Sequence, residues 1–87
     1  MQLVLYTKPG CHLCEGLQEK LEQITDIALE IELRDITTRE DWFNIYQYEV
    51  PVLLVKKPEG EQLIPRPSPR ISVNQLQQIL QKYLILE

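Results

Sequence analysis

Two unbroken apolar runs, Leu3-Val4-Leu5-Tyr6 and Val50-Pro51-Val52-Leu53-Leu54-Val55, set the strongest limit on what this chain can fold into. A strand wetted on one face alternates apolar and polar residues, whereas a strand with no polar alternate is covered on both faces and lies inside a sheet. Two central strands need two flanking ones and helices to cover them. Proline is barred from mid-ladder positions, so Pro51 is expected at the start of its strand.

The remaining pattern supplies those partners. From Cys11 onward, Leu13, Leu17, Leu21 and Ile24 recur at helical spacing, which predicts a helix with one buried stripe, weakened slightly by Gly16. Residues 28–34 alternate, with Leu29, Ile31 and Leu33 facing one way and Glu30, Glu32 and Arg34 the other. Such a strand has a wet face and belongs at an edge. Thr37 followed by Glu40 has the form of a capping box and predicts a second helix whose Trp42, Phe43, Ile45 and Tyr46 pack on the sheet. A turn at residues 56–60 leads to a short strand around Gln62, Leu63 and Ile64, which Pro65, Pro67 and Pro69 end. Ser72 with Gln75 caps a last helix striped by Val73, Leu76, Ile79, Leu80, Tyr83 and Leu84.

The element order is therefore β-α-β-α-β-β-α. A single right-handed crossover makes the first two strands parallel, and the short turn makes the last two an antiparallel hairpin. The burial pattern gives the spatial order 2-1-3-4, an α/β fold with three helices around a mixed sheet. A chain of 87 residues hides only about 60% of its unfolded surface, so a single domain over residues 1–87 with one site is expected.

Charge and length exclude several classes. The net charge of −4 with thinly spread Lys and Arg lacks the basic stripe that phosphate backbones require. The opening apolar run is too short for a secretion signal, and no run approaches the ~20 residues of a membrane span. These features predict a cytoplasmic protein that binds neither nucleic acid nor membrane.

Against that background stand the only two cysteines, Cys11 and Cys14, at a glycine-preceded helix start. Two cysteines cannot build a secreted disulfide framework, and a close cytosolic pair is more often catalytic or metal-binding than structural. Residues three apart share a helix face, which places Cys11 at the exposed mouth and Cys14 one turn inside. The partial positive charge of the mouth favours a thiolate by up to ~2 kcal/mol. Cys11 is thus the expected attacking thiolate with a lowered pKa, and Cys14 the resolving thiol. His12 and Lys8 are candidate tuners of that thiolate, each with an alternative reading as a solvated surface residue. Two other readings of the cysteines are an inert buried pair, and a dimer sharing zinc or an iron–sulfur cluster. Glu15 follows Cys14, so the haem-attachment motif is absent.

Tyr6-Thr7-Lys8 leading into Cys-x-x-Cys, with Val50-Pro51 opening a later strand, resembles the glutaredoxins of the thioredoxin-fold superfamily over nearly the whole chain. It looks closest to compact bacterial glutaredoxin-like proteins. The resemblance implies a thiol–disulfide oxidoreductase acting through Cys11 and Cys14 on protein disulfides or glutathione mixed disulfides. It also implies a cis Pro51 facing the cysteines, a Val50 backbone that pairs with an extended substrate, and Lys8 contacting a glutathione carboxylate. Tyr6, Lys8, Val50 and Pro51 are accordingly the expected substrate-binding residues. No bound cofactor or metal is expected, glutathione is the expected external reductant, and the chain is expected to be a monomer. The alternative is a thioredoxin-fold binding or metal-handling module without turnover. Two departures are plain: His12 and Leu13 stand where glutaredoxins usually have Pro-Tyr, and Pro69-Arg70-Ile71-Ser72 replaces their Gly-Gly-acid motif. Arg66 and Arg70 could form a rim for an anionic substrate, while Trp42, Phe43, Tyr46 and Tyr48 read as packing residues.

Overall fold

The computed structural model describes residues 1–85, so residues 86–87 of the expected domain lie outside it. The elements are β1 (Gln2–Thr7), α1 (His12–Glu22), β2 (Glu30–Asp35), a 3-10 turn (Ile36–Thr38), α2 (Glu40–Tyr46), β3 (Val52–Lys57), β4 (Gly60–Ile64) and α3 (Val73–Ile85). The sheet order is β2-β1-β3-β4, as the burial pattern predicts. β1 runs parallel to β2 and antiparallel to β3, and β3 turns back into β4 through a loop whose Gly60 takes φ +136°. No helix of the described residues is long and apolar enough to cross a membrane.

The apolar runs feed two cores. Leu3 and Leu5 with Leu53 and Val55 point to one face, where Leu17, Leu21 and Ile24 on the α1 side and Leu76 and Leu80 of α3 close over them. Val4, Tyr6 and Leu54 point to the other, where they meet Ile36, Val50, Trp42, Tyr46 and both cysteines. α3 begins as expected: Gln75 N–H donates to Ser72 Oγ at 3.0 Å, and Ser72 N–H donates to Gln75 Oε1 at 3.1 Å.

Four local expectations need correction. The buried stripe of α1 runs Cys14, Leu17, Leu21, Ile24, while Leu13, one position out of that stripe, is 51% exposed and lines an open cavity. On edge strand β2, Leu33 is 49% exposed, whereas the Arg34 side chain is largely covered. The second capping box does not form: Thr37 lies in the 3-10 turn, its N–H donates to Asp35 Oδ1 at 2.9 Å, and α2 starts after Arg39 with no side-chain cap. The Thr37 hydroxyl, which donates to the same oxygen at 2.6 Å, and then that N–H hold the Asp35 carboxyl below its ordinary range. Of the α2 residues only Trp42 and Tyr46 pack inward; Ile45 is 62% exposed, because a seven-residue helix offers one narrow inner face.

Arg34 is covered because it is well partnered. Its guanidinium lies 5.3 Å from the Tyr6 ring centroid and 5.6 Å from that of Trp42, within cation–π range. It donates to Tyr6 Oη at 2.7 Å, to Glu61 Oε2 at 2.9 Å, and to Glu32. Glu32 in turn accepts from Lys56 Nζ at 2.7 Å. Burial works against the Arg34 charge, but hydrogen bonds to Glu32, Glu61 and Tyr6 outweigh it and hold the proton more tightly. The bonds from Lys56 and Arg34 pull the Glu32 carboxyl down to about 2.

A carboxylate depressed in the folded state stabilises the fold above its unfolded value, near 4.3 for Glu, and that contribution disappears as pH falls through the folded value. Glu32→Gln should therefore lower the urea midpoint at pH 7, and the gap to wild type should close between about pH 4.5 and 2. A gap that stays constant over that window in paired urea titrations would contradict the role given to Glu32.

Candidate active site

β1 ends at Thr7, and the chain turns through Lys8, Pro9 and Gly10 before α1 begins. Gly10 takes φ +78°, a left-handed conformation that glycine adopts without a Cβ penalty. Cys11 N–H donates to Lys8 O at 3.3 Å, closing the turn. Cys11 itself is the extended N-cap of α1, a place usually held by Ser, Thr, Asp or Asn. Its Sγ accepts the Cys14 N–H at 3.2 Å, so sulfur does here what a capping oxygen does elsewhere.

The two cysteines are disulfide-bonded, with Cα atoms 5.3 Å apart. Cys11 is half-buried and Cys14 is 2% exposed. One sulfur is thus reachable from outside, and its partner is packed in the core beside Val4, Tyr6, Ile36 and Val50. This is the order of access that an attacking and a resolving thiol require.

Val50 and Pro51 lead into β3 near the disulfide. Their peptide bond is cis, as the resemblance implied, Val50 shares the second core with both cysteines, and Pro51 lines a cavity with His12 and Leu13. Val50 N–H donates to Tyr46 O at 3.1 Å. Strand-like pairing of a substrate with Val50 would therefore use its carbonyl or displace that bond.

Other expected site residues are placed differently. The Lys8 ammonium donates to Gln47 O at 3.1 Å, tying the turn before Cys11 to the end of α2. His12 is exposed and its Nδ1 lies 3.5 Å from Glu15 Oε2. Tyr6 is 4% exposed, stacked at 4.3 Å on Tyr46 and edge-on to Trp42 at 5.6 Å, with its hydroxyl held by Arg34. It backs the cysteines from inside the core. Burial, then the neighbouring Tyr6, pushes the Tyr46 phenol upward. Arg70 is exposed and lines none of the cavities at the site, whereas Arg66 lines two and donates to Glu49 O.

Three contributors escaped sequence reasoning. Lys20 Nζ donates to Pro69 O at 2.7 Å, binding α1 to the proline-rich segment 65–69. Leu13, expected in the core, instead lines a cavity with His12 and Pro51. Arg34 supports Tyr6 from behind. Lys20 had no local signal, since its partner is 49 residues away; the surplus of apolar residues at the start of α1 could have revealed Leu13. Among the described residues no group of three or more His, Cys, Asp or Glu is placed to hold a metal ion.

Comparison with known proteins agrees with this geometry. The family model Glutaredoxin-like domain (DUF836) matches residues 2–81. Thioredoxin 1 from Thermosipho africanus superposes with a TM-score of 0.66 at 19% identity, over 99% of this chain and 97% of that one. The crystal structure of protein XcR50 from X. campestris gives a TM-score of 0.61 at 28% identity, over 92% and 96% of the two chains. Its solution structure gives 0.60 at 27% identity, over 94% and 95%. No curated protein matches the chain.

The unequal access of the sulfurs makes a direct prediction. After reduction, brief treatment with iodoacetamide at pH 7.5 should label Cys11 and spare Cys14 until urea is added, as read by peptide mass spectrometry. Equal labelling of both in the folded protein would contradict the assignment of roles.

Proposed function

Because the chain belongs to the Glutaredoxin-like domain (DUF836) family, we propose that it is a thiol–disulfide oxidoreductase that reduces disulfides through Cys11 and Cys14. The observation that carries this reading is a half-buried cysteine at the helix N-cap bonded to a buried one a turn inside.

The reduced protein holds one thiolate and one thiol. Cys11 Sγ attacks a sulfur of the substrate R–S–S–R′, forming the mixed disulfide Cys11–S–S–R and expelling R′S⁻. Cys14 then gives up its proton and attacks Cys11 Sγ, which releases RS⁻ and leaves the intramolecular disulfide seen in the structure. Two electrons pass to the substrate; one leaving thiolate takes up the Cys14 proton and the other a proton from water. An external thiol returns the electrons for the next cycle, and the chemistry requires no bound cofactor.

The fold contributes in two ways. The N–H of Cys14 already points at Cys11 Sγ, and a thiolate there would gain that donor together with the positive end of α1. Pro51 lines a cavity with His12 and Leu13, and an extended substrate lying there would bring its disulfide toward Cys11.

Cys14→Ser should retain the first attack and lose the second, so that a disulfide substrate accumulates as an adduct on Cys11 detectable by non-reducing mass spectrometry. Cys11→Ser should form no adduct and lose turnover by at least about 10³-fold, since the buried Cys14 cannot take over the attack. An adduct on Cys14, or turnover surviving in Cys11→Ser, would overturn the proposal. So would a wild-type protein that purifies coloured or zinc-loaded and reduces no disulfide.

A further inference from the structure

Two cavities meet at Pro51, and both are walled mainly by carbon. One, about 300 Å³, opens at His12 and Leu13 and runs between Gly16 and Leu17 of α1 and the segment carrying Pro67, Pro69 and Ile71. The other, about 450 Å³, lies between α2 and β4, where Ile45 and Leu63 form its lip. They share Leu17, Pro51, Arg66 and Pro67, so together they make one trough that begins at His12 and Leu13, the residues between the two cysteines, and ends near the edge of the sheet. Leu13, Ile45 and Leu63 along it are 51%, 62% and 60% exposed, three large apolar side chains left in water at one place. Each cavity lies at or near the size range of small-ligand pockets.

The basic side chains of the trough already have partners, and the Glu49 carboxylate adds a negative charge to its lining. Arg66 donates to Glu49 O, Lys20 to Pro69 O at 2.7 Å, and His12 faces Glu15 at 3.5 Å. At the nearby start of α3, Ser72 and Gln75 cap each other. A ligand bearing carboxylates, such as the glutathione tripeptide, would meet the Glu49 carboxylate and basic side chains already oriented by these bonds, two of which hold segment 65–69 in place. An uncharged chain with bulky apolar side chains competes with none of them and covers the exposed carbon.

We propose that the trough selects its substrate: the protein acts on disulfides of extended polypeptide segments in which the cysteine is flanked by bulky apolar residues, and handles glutathione poorly. This specificity rests on the oxidoreductase reading above. The electron balance is unchanged: the Cys11–Cys14 dithiol becomes a disulfide, and the probe disulfide becomes two thiols.

The test uses the reduced protein and end-blocked pentapeptides whose single central cysteine is disulfide-linked to 2-mercaptoethanol, with Leu, Gly or Asp on both sides of it. Glutathione linked to the same thiol is the fourth probe. Formation of the Cys11–Cys14 disulfide is followed by acid quenching and mass spectrometry. The Leu-flanked probe should react at least about tenfold faster than the other three, the factor that one apolar side chain in a matching pocket commonly gives. Gly16 offers a way to fill the trough, because a Cβ built there meets nothing within 4 Å and the residue is helical. Gly16→Leu should cut the Leu-over-Gly rate ratio at least threefold without lowering the melting temperature.

If glutathione or the Asp-flanked probe matches the Leu-flanked one, or Gly16→Leu folds and leaves the ratio intact, the specificity is refuted while the oxidoreductase stands. If no probe oxidises the cysteines, both fall together.

Discussion

The structure depends on β1 being buried on both faces. Leu3 and Leu5 belong to one core, Val4 and Tyr6 to the other, and none of the four is more than 4% exposed. Fully burying such side chains is worth about 1.5–3 kcal/mol each, an upper figure because the unfolded chain is already partly compact. Four of them together reach about 6–12 kcal/mol, similar to the whole net stability of a small domain. No neighbouring element can outbid that constraint, so β1 fixes the sheet. The chain leaving its end at Thr7 must then turn over the sheet and enter α1 there. The disulfide stands at that turn, which makes its position a consequence of the core.

The two cores also divide the labour of the site. α1 packs Leu17 and Leu21 into the first core but directs Cys14 into the second, where Val50 stands beside it. The resolving sulfur is therefore shielded by the same side chains that hold Val50 ahead of β3. Behind them, Arg34 ties β2 to Tyr6 and to Glu61 on β4, the opposite edge strand. Glu32, Glu61 and Lys56 stay 35–45% exposed around the covered Arg34, so the network's contribution lies more in orienting the Tyr6 and Trp42 rings than in net ion-pair energy.

How much was readable in advance follows from how local each cause is. The strands, their order and the capping box at Ser72 rest on periodicity and on residues a few positions apart, and these emerge from the sequence correctly. Leu13 and Leu33 were misread for one reason: periodicity says which residues share a face, but not where the neighbouring layer stops. Leu13 flanks the Cys14–Leu17–Leu21 stripe and lines an open cavity, and Leu33 sits on the outer strand. Arg34 escaped because charged residues on an edge strand usually face water, and only the distant pairing of Tyr6, Trp42 and Glu61 makes its burial tolerable. The tethers of Lys20 and Arg66 to Pro69 and Glu49 are backbone contacts between remote segments and leave no mark in composition.

The same distinction decides what stabilises a thiolate at Cys11. The sequence offers two side chains for the task, Lys8 and His12, and a backbone source, the mouth of α1. The His12 side chain is 93% exposed and faces a Glu15 side chain that is 62% exposed, so any charge it carries acts through water and beside an opposing carboxylate. In bulk water two unit charges 4 Å apart interact by only about 1 kcal/mol before salt screening. The Lys8 ammonium is engaged with Gln47 O, which fixes it toward α2. The Cys14 N–H, in contrast, already lies 3.2 Å from Cys11 Sγ, and a helix N-terminus in a partly buried setting is worth up to about 2 kcal/mol to an anion. Backbone geometry thus outweighs both side chains at this sulfur, so the chemistry tolerates His12 and Leu13 between the cysteines and leaves Leu13 available to line the trough.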